Sequence, residues 1–385
     1  MKKNIAGVIE DRCCGCGACF QICPKKRILM KKNTRGFYVP TVDEQTCIDC
    51  GLCKNVCPEI EKNQYNSVIG SYAAITKDKD AIDRSTSGGV FSEIAKYIIM
   101  HSGVVYGCSW NDNKSVHHRM VEKIQDLKYI QQSKYVQSNT ERTFEEVKRY
   151  LLNDKVVLYS GTGCQIAGLK KYLKKDYDKL ITVEVACHGV PSPGLFEEYI
   201  KWMERKNNQT VNQYTFRNKK KHKKGEHYKL CVNFKNGKEK YYLSYNDPYY
   251  GAFLQGKTLR KTCYHCKYKE SDRIADILLS DYWGIEKEHP QFPAKHGASA
   301  VVICSTKGEK LFNNIKDKII IEESTFDKIV AHNRSIISCA KKTGQEYTDL
   351  ENVDELMKTL KPKFSAKRTI KNIIPENLKY FLKRI

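Results

Sequence analysis

Two cysteine runs constrain this 385-residue chain more than any other feature. The first reads Cys13-Cys14-Gly15-Cys16-Gly17-Ala18-Cys19-Phe20-Gln21-Ile22-Cys23-Pro24. The second reads Cys47-Ile48-Asp49-Cys50-Gly51-Leu52-Cys53-Lys54-Asn55-Val56-Cys57-Pro58. Both are C-x2-C-x2-C-x3-C-P, and the second set stands 34 residues after the first at every matched cysteine. Three cysteines at such intervals wrap a loop around three corners of an iron–sulfur cube, and the fourth reaches the neighbouring cube. The spacing therefore groups Cys13, Cys16, Cys19 and Cys57 on one [4Fe–4S] cluster and Cys47, Cys50, Cys53 and Cys23 on a second. Pro24 and Pro58 end the loops, and Gly15, Gly17 and Gly51 let the backbone pass close to the sulfides. Cys14 falls off register and reads as a bystander thiol. Structural zinc also uses C-x2-C pairs, but it has no use for two runs of four that end in proline.

The pattern over residues 10–60 resembles a bacterial two-cluster ferredoxin, which makes residues 1–66 a 2[4Fe-4S] ferredoxin domain. Between the runs, Ile28–Met30 and Phe37–Thr41 are short strand-like pieces around a turn at Asn33-Thr34-Arg35-Gly36. A polar linker at 61–70 follows, and then strand–loop–helix units that imply a mixed or parallel α/β sheet. Strands are expected at Val68–Ile75, Val104–Tyr106, Val156–Tyr159 and Leu180–Ala186, with helices at Val90–His101, Thr143–Leu152 and Gln165–Leu173. Val211–Arg217, Tyr228–Phe234 and Glu239–Ser244 read as a three-strand meander with an Asn236-Gly237 turn. Ile274–Ser280 and Ser299–Cys304 read as further core strands. The fold class is thus α+β / α/β.

Two glycine-rich turns at expected helix starts, Ser87-Gly88-Gly89 and Gly161-Thr162-Gly163, suit phosphate, although such turns also serve only as connectors. Neither matches a dinucleotide fingerprint or a P-loop. Four later cysteines, Cys164, Cys187 and the pair Cys263/Cys266, stand at loop or strand ends, where open sheets build sites. They read as ligands of a third [4Fe–4S] cluster. The alternatives are zinc at the same residues, or unrelated thiols with Cys164 or Cys187 as a nucleophile beside His188. Cys108, Cys231, Cys304 and Cys339 read as small core hydrophobes.

Five segments occur in order. They are Thr86-Ser87-Gly88-Gly89-Val90-Phe91, Ser133-Lys134-Tyr135-Val136-Gln137-Ser138, Gly161-Thr162-Gly163-Cys164-Gln165-Ile166-Ala167-Gly168-Leu169, Cys187-His188-Gly189-Val190-Pro191-Ser192-Pro193, and Cys263-x-x-Cys266 with Arg273-Ile274-Ala275-Asp276-Ile277 and Asp281-Tyr282-Trp283-Gly284. Together they resemble the coenzyme F420 hydrogenase/dehydrogenase beta-subunit family, over roughly residues 10–305. The resemblance implies an iron–sulfur flavoprotein with FAD in residues 67–335, contacted by Ser87, Gly88, Gly89, Lys134, Gly161, Thr162 and Gly163. It also strengthens the third cluster. It implies an oxidoreductase acting on an organic substrate, such as coenzyme F420 or a sugar or polyprenyl-linked intermediate. The rival readings are an electron-transfer subunit with no substrate of its own, and a non-redox binding protein with structural metal. Asp276 and Asp281 flank a strand as site residues or as caps of the sheet end.

Lysine plus arginine number 67 against 44 acidic residues, a formal net charge of +23. Three oxidised clusters of roughly −2 each bring that to about +17. No basic stripe with interleaved aromatics marks nucleic-acid binding, so the charge suits an acidic redox partner, such as a ferredoxin. The lysine-rich turn at 218–225 reads as a solvated hairpin tip or a docking point for that partner. Residues 336–385 read as a basic tail whose end, 364–385, is amphipathic and fit for packing or for anionic lipid. No apolar run approaches the roughly 20 residues of a membrane helix, and the apolar stretch that ends at Glu10 is too short for a secretory signal. The expectation is a cytoplasmic protein, where thiols serve metals or catalysis.

Overall fold

The structure, a computed structural model, describes residues 3–7, 10–60, 63–219, 229–344 and 346–362. In chain order the strands are β1 (Ile28–Lys32), β2 (Tyr38–Val42), β3 (Gly70–Thr76), β4 (Val104–Trp110), β5 (Val116–Val121), β6 (Val157–Gly161), β7 (Leu180–Val185), β8 (Val211–Asn218), β9 (Lys229–Phe234), β10 (Glu239–Leu243), β11 (Ile277–Asp281), β12 (Ser299–Ile303) and β13 (Ile319–Ser324). Five helices matter below: α1 (Val90–Met100), α2 (Thr143–Leu152), α3 (Gly163–Leu173), α4 (Pro193–Asn207) and α5 (Val353–Leu360).

Eight strands form one sheet in the order β13-β3-β12-β11-β7-β6-β4-β5. Its centre, β11-β7-β6-β4, is parallel. Those strands are β-branched and apolar, and both faces are covered, as parallel sheets require. Val105, Leu158, Val183 and Ile277 pack with Ile94 and Ile98 of α1 on one face. Tyr106, Val157 and Tyr159 pack with Phe144 and Val147 of α2 and Leu169 of α3 on the other. The outer strands β12, β3 and β13 on one side and β5 on the other run antiparallel to their neighbours.

The meander β8-β9-β10 is a separate antiparallel sheet. Its apolar face joins α4 in an aromatic core that includes Phe196, Tyr199, Tyr214, Phe216 and Tyr249. Ser192 starts α4 by accepting the Leu195 N–H at 3.0 Å, and Pro193 fills the first turn, where its missing N–H costs nothing. Residues 347–360, grouped with the tail by composition, place Tyr347, Val353, Met357 and Leu360 in this same core.

The strand-like pieces between the cysteine runs form the hairpin β1-β2, with Gly36 at φ +75° in its turn. Most of the lysine-rich turn (220–228) and the amphipathic end of the tail (363–385) lie outside the described residues. Among the described residues no helix is long and apolar enough to cross a membrane.

Candidate functional site

The two cysteine runs fold into short helices, Ala18–Ile22 and Leu52–Asn55, each entered through a left-handed glycine. Gly17 (φ +77°) and Gly51 (φ +76°) hold a conformation that a side chain would strain. Cys23 of the first run lines one small hollow together with Cys47, Cys50 and Cys53 of the second. Burial, then the neighbouring thiols of Cys13, Cys57 and Cys53, pushes the Cys19 thiol well above its usual range. Cys57 likewise feels Cys13 after burial. The structure thus brings Cys23 to the second run and Cys57 to the first. N–H groups point at these sulfurs: Gly15 N to Cys13 Sγ at 3.3 Å, Arg27 N to Cys23 Sγ at 3.3 Å and Asn4 Nδ2 to Cys47 Sγ at 3.6 Å. Crowded thiols, three of them buried and three others met by N–H donors, suit metal-bound thiolates, because a metal core deprotonates its thiols outright. The donor set fits [4Fe–4S] clusters.

Three carbonyls of the first loop are held by the α/β half. Arg260 Nη1 donates to Cys13 O (2.9 Å), Gln137 Nε2 to Cys14 O (2.9 Å) and Thr140 Oγ1 to Cys16 O (2.8 Å). Arg260 also donates to Gln137 Oε1 (3.0 Å) and Tyr38 O (2.7 Å). Gly15 is at φ +71°, and a Cβ there would stand 2.5 Å from Gln137 Nε2 and 2.9 Å from Arg260 Nη2. Cys14 is 5 % exposed and sits in one cluster with Cys16, against which Cys164 packs.

The later cysteines also converge. Burial and then Cys187, Cys164 and Cys266 push up the Cys263 thiol. Burial and then Cys164 and Cys187 push Cys266 up to about 12. Cys164 opens α3, and Cys187 follows β7. Cys339, expected in the core, instead accepts the Cys266 N–H at 3.2 Å. Cys231 and Cys304 are buried as expected.

Glu184 of β7 forms an ion pair with Arg273 that the motif segments alone do not reveal. Arg273 Nη2 donates to Glu184 Oε1, with side chains 2 % and 3 % exposed. Burial raises the Glu184 pKa before Arg273 lowers it.

The carboxyl ends of the parallel strands open on a cavity of about 510 Å³. Open α/β sheets bind ligands at this edge. Of the turn residues, Ser87, Gly89, Gly161 and Thr162 line it, and so does Lys134. Gly88 and Gly163 do not; they stand behind the wall. Gly88 N donates to Ser299 Oγ at 3.0 Å, and Gly163 faces Glu184 and Tyr268. Cys164, Cys187 and Cys108 also line the cavity, so Cys108 is a wall thiol rather than a core hydrophobe.

The α1 start at Gly89 has no side-chain cap. At α3, Gln165 Oε1 already accepts the Thr162 N–H at 3.1 Å. Lys134 Nζ donates to the carbonyls of Gln131 (2.7 Å) and Gln132 (3.2 Å), and desolvation lowers its pKa to about 8. His118 stacks on Tyr159 with ring centroids 5.2 Å apart, and burial lowers its pKa to about 4. Its Nε2 donates to Ser160 O (3.0 Å), which leaves Nδ1 to accept from Ser138 Oγ (3.1 Å).

Two buried polar atoms on residues of this wall have no partner among the described residues, Gln131 Oε1 and His188 Nε2. Such atoms call for a ligand. The residues present fit a phosphate-bearing planar group such as FAD. Asp281 is on the wall and pairs with buried Arg217 at 2.6 Å. Asp276 caps the sheet end instead, accepting from Thr182 N (2.7 Å) and Ser305 Oγ (2.6 Å).

Comparisons with known proteins follow the same division. Residues 12–59 match the 4Fe-4S dicluster domain. Residues 154–329 match the C terminus of the coenzyme F420 hydrogenase/dehydrogenase beta subunit. None of the curated proteins matches the chain. Among solved structures, a chain of the F420-reducing [NiFe] hydrogenase complex from Methanosarcina barkeri is 14% identical, with a TM-score of 0.46, over 81% of this chain and 94% of that one. The chain therefore joins a 4Fe-4S dicluster domain to a C-terminal domain of the coenzyme F420 hydrogenase/dehydrogenase beta-subunit family.

Proposed function

We propose that the chain is a FAD-dependent iron–sulfur oxidoreductase. Cys13, Cys16, Cys19 and Cys57 would hold one [4Fe–4S] cluster, Cys23, Cys47, Cys50 and Cys53 a second, and Cys164, Cys187, Cys263 and Cys266 a third. FAD and an organic substrate would share the large cavity. The observation that carries this reading is that Cys164 and Cys187 belong both to the four-thiol group and to the cavity wall. When bound, FAD supplies hydride exchange with the substrate and single-electron exchange with the clusters.

The chain's own groups set the conditions. The uncapped start of α1 offers N–H groups and a positive dipole end to a phosphate. The α3 start is satisfied by Gln165, so Gly161 and Thr162 serve as wall rather than as anion cradle. Lys134 brings a positive charge with no carboxylate bonded to its Nζ among the described residues, which suits an anionic group in the cavity. His118 stays neutral near pH 7 and is committed to Ser160 and Ser138, so it orients that wall and moves no proton. Gln131 Oε1 and His188 Nε2 are the polar atoms free to meet the ligand. The substrate classes to try are the deazaflavin coenzyme F420 and a sugar or polyprenyl-linked intermediate, and an acidic ferredoxin is the matching donor.

Anaerobic purification with iron, sulfide and flavin counts tests the reading. About twelve irons and one FAD per chain support it, whereas about eight irons reject the third cluster. An iron-replete chain without flavin absorbance defeats the enzyme reading. A flavin that no substrate reoxidises makes the chain an electron-transfer subunit instead.

A further inference from the structure

The cavity at the strand ends has two unlike walls. Beside the α1 start, Ser87, Gln131 and Lys134 present polar groups. The loop that carries Gln131 is tied to that helix start, since Gln131 Nε2 donates to Ser92 Oγ at 2.8 Å and Ser133 N to Thr86 Oγ1 at 2.7 Å. The other wall carries Val185, Leu254 and Trp283, which are 42 %, 46 % and 49 % exposed. Val185 ends β7 and Trp283 follows β11; the two strands are parallel neighbours, with Leu279 beside Val185. His188 also comes off the end of β7. Its ring stands edge-on to Phe253 with centroids 5.4 Å apart, and Leu254 is the next residue. His188 Nε2 is buried on this apolar wall without a partner among the described residues.

The backbone on both sides of Trp283 is fixed. Tyr282 is buried, with its OH 2.7 Å from Ser324 Oγ, and its N–H donates to Ala298 O at 2.9 Å. Gly284 is at φ +73°, and a Cβ there would stand 2.4 Å from the His332 ring. The Arg217 guanidinium, paired with Asp281, lies 5.9 Å from the centroid of the Trp283 ring. A large ring held in this way has little freedom left to lose when a ligand stacks on it. We propose that Trp283 is the specificity-determining residue of the substrate subsite. With Val185 and Leu254 it selects a flat conjugated ring, and His188 Nε2 makes one hydrogen bond to that ring's polar edge. Sites for organic ligands have this make-up, an apolar wall with a few placed polar atoms. A hydroxyl-covered sugar ring suits the wall less, because Val185 and Leu254 offer it no hydrogen bonds. The assignment rests on the reading that FAD occupies the polar side of the same cavity.

The test uses the full chain, purified anaerobically with its iron and FAD and kept oxidised, as wild type, Trp283→Leu, Trp283→Phe and His188→Ala. Iron and FAD are counted first. Affinity is then titrated by calorimetry, with coenzyme F420 and menadione as flat probes and UDP-glucose as a hydroxyl-rich one. Trp283→Leu should keep its iron and FAD and bind both flat probes about tenfold more weakly, the loss of one aromatic stack. Trp283→Phe keeps a ring face and should stay within about threefold of wild type. His188→Ala should cost about fivefold, one hydrogen bond. Flat probes that bind Trp283→Leu as tightly as wild type, or that do not bind wild type at all, overturn the assignment. So does UDP-glucose bound more tightly than either flat probe. Loss of FAD from Trp283→Leu places the ring against the cofactor and overturns the substrate role. Should Trp283→Leu not fold, Leu254→Ser carries the same reading: about threefold weaker binding of the flat probes supports it and unchanged binding overturns it. A wild type without FAD defeats the flavoprotein reading itself, which the flavin count tells apart from a failure of the subsite alone.

Discussion

Replacing Arg273 by methionine should strand the Glu184 carboxylate inside the protein. Both side chains are almost wholly buried, and Arg273 Nη2 holds Glu184 Oε1. Arg273 Nη1 also donates to the carbonyls of Glu270 (2.7 Å) and Ile336 (3.3 Å). The pair is not fully satisfied, since Glu184 Oε2 and Arg273 Nε have no partner among the described residues. Breaking a buried pair costs about 3–5 kcal/mol, and each stranded carbonyl adds about 1 kcal/mol. Glu184 escapes part of this by taking a proton, because burial already raises its pKa. In the variant the folded state binds that proton more readily than the unfolded state, so stability falls as pH rises through the raised pKa. The expected loss is about 5–7 kcal/mol at pH 8 and distinctly less at pH 5. The double variant Arg273→Met/Glu184→Leu removes both charges and should recover most of the loss. Anaerobic urea unfolding at matched iron content measures this through the shift of midpoint at each pH. A single variant within about 1 kcal/mol of wild type at pH 8, or an equal loss at both pH values, would refute the reasoning.

Ligand crossing makes Cys23→Ser and Cys47→Ser equivalent: each should lose the same cluster, about four irons, whereas Cys57→Ser should match Cys13→Ser. Spectra that pair Cys23 with Cys13 would overturn it. Gly88→Ala places a Cβ 2.4 Å from Ala74 O and 2.6 Å from Ser299 N, both backbone atoms, and should cost about 1–3 kcal/mol or more in thermal unfolding. Lys134 is charged below its pKa of about 8 and neutral above it. FAD affinity, followed by fluorescence titration, should therefore weaken as pH rises from 7 to 9 in wild type but not in Lys134→Met.

How much the chain reveals about itself depends on how local each signal is. The helix Thr143–Leu152 is legible to the residue, because its apolar period and its acidic first turn (Glu145, Glu146) sit within ten positions. The meander is legible because Asn236-Gly237 forces its turn. Strand β5 is not legible. It reads Val-His-His-Arg-Met-Val and is half polar, and the sheet buries it through His118, whose partners Ser138 and Ser160 are remote. Strand β13 escapes for the same reason, as an edge strand ending in Glu322-Glu323-Ser324. The 4Fe-4S dicluster domain is legible in the two cysteine runs, since ligand geometry writes itself into the interval. The parts played by Arg260, Gln137 and Arg273 are not, because each depends on a partner more than eighty residues away. Cys108 passes for a core residue because a half-buried thiol on a cavity wall has the composition of a core one.

The clamp on the first cysteine loop bears on how such a chain is made. A ribosome delivers residues 13–57 early, while Arg260 and the Cys263–Cys266 pair come out only after the whole strand–helix region has been synthesised. Until then Cys13 and Tyr38 lack the guanidinium that fixes their carbonyls, and the thiols of the first loop remain without their cover. The final backbone geometry of that loop therefore waits on completion of the α/β half. An N-terminal fragment ending at the linker would lack the three side chains that hold the carbonyls of Cys13, Cys14 and Cys16.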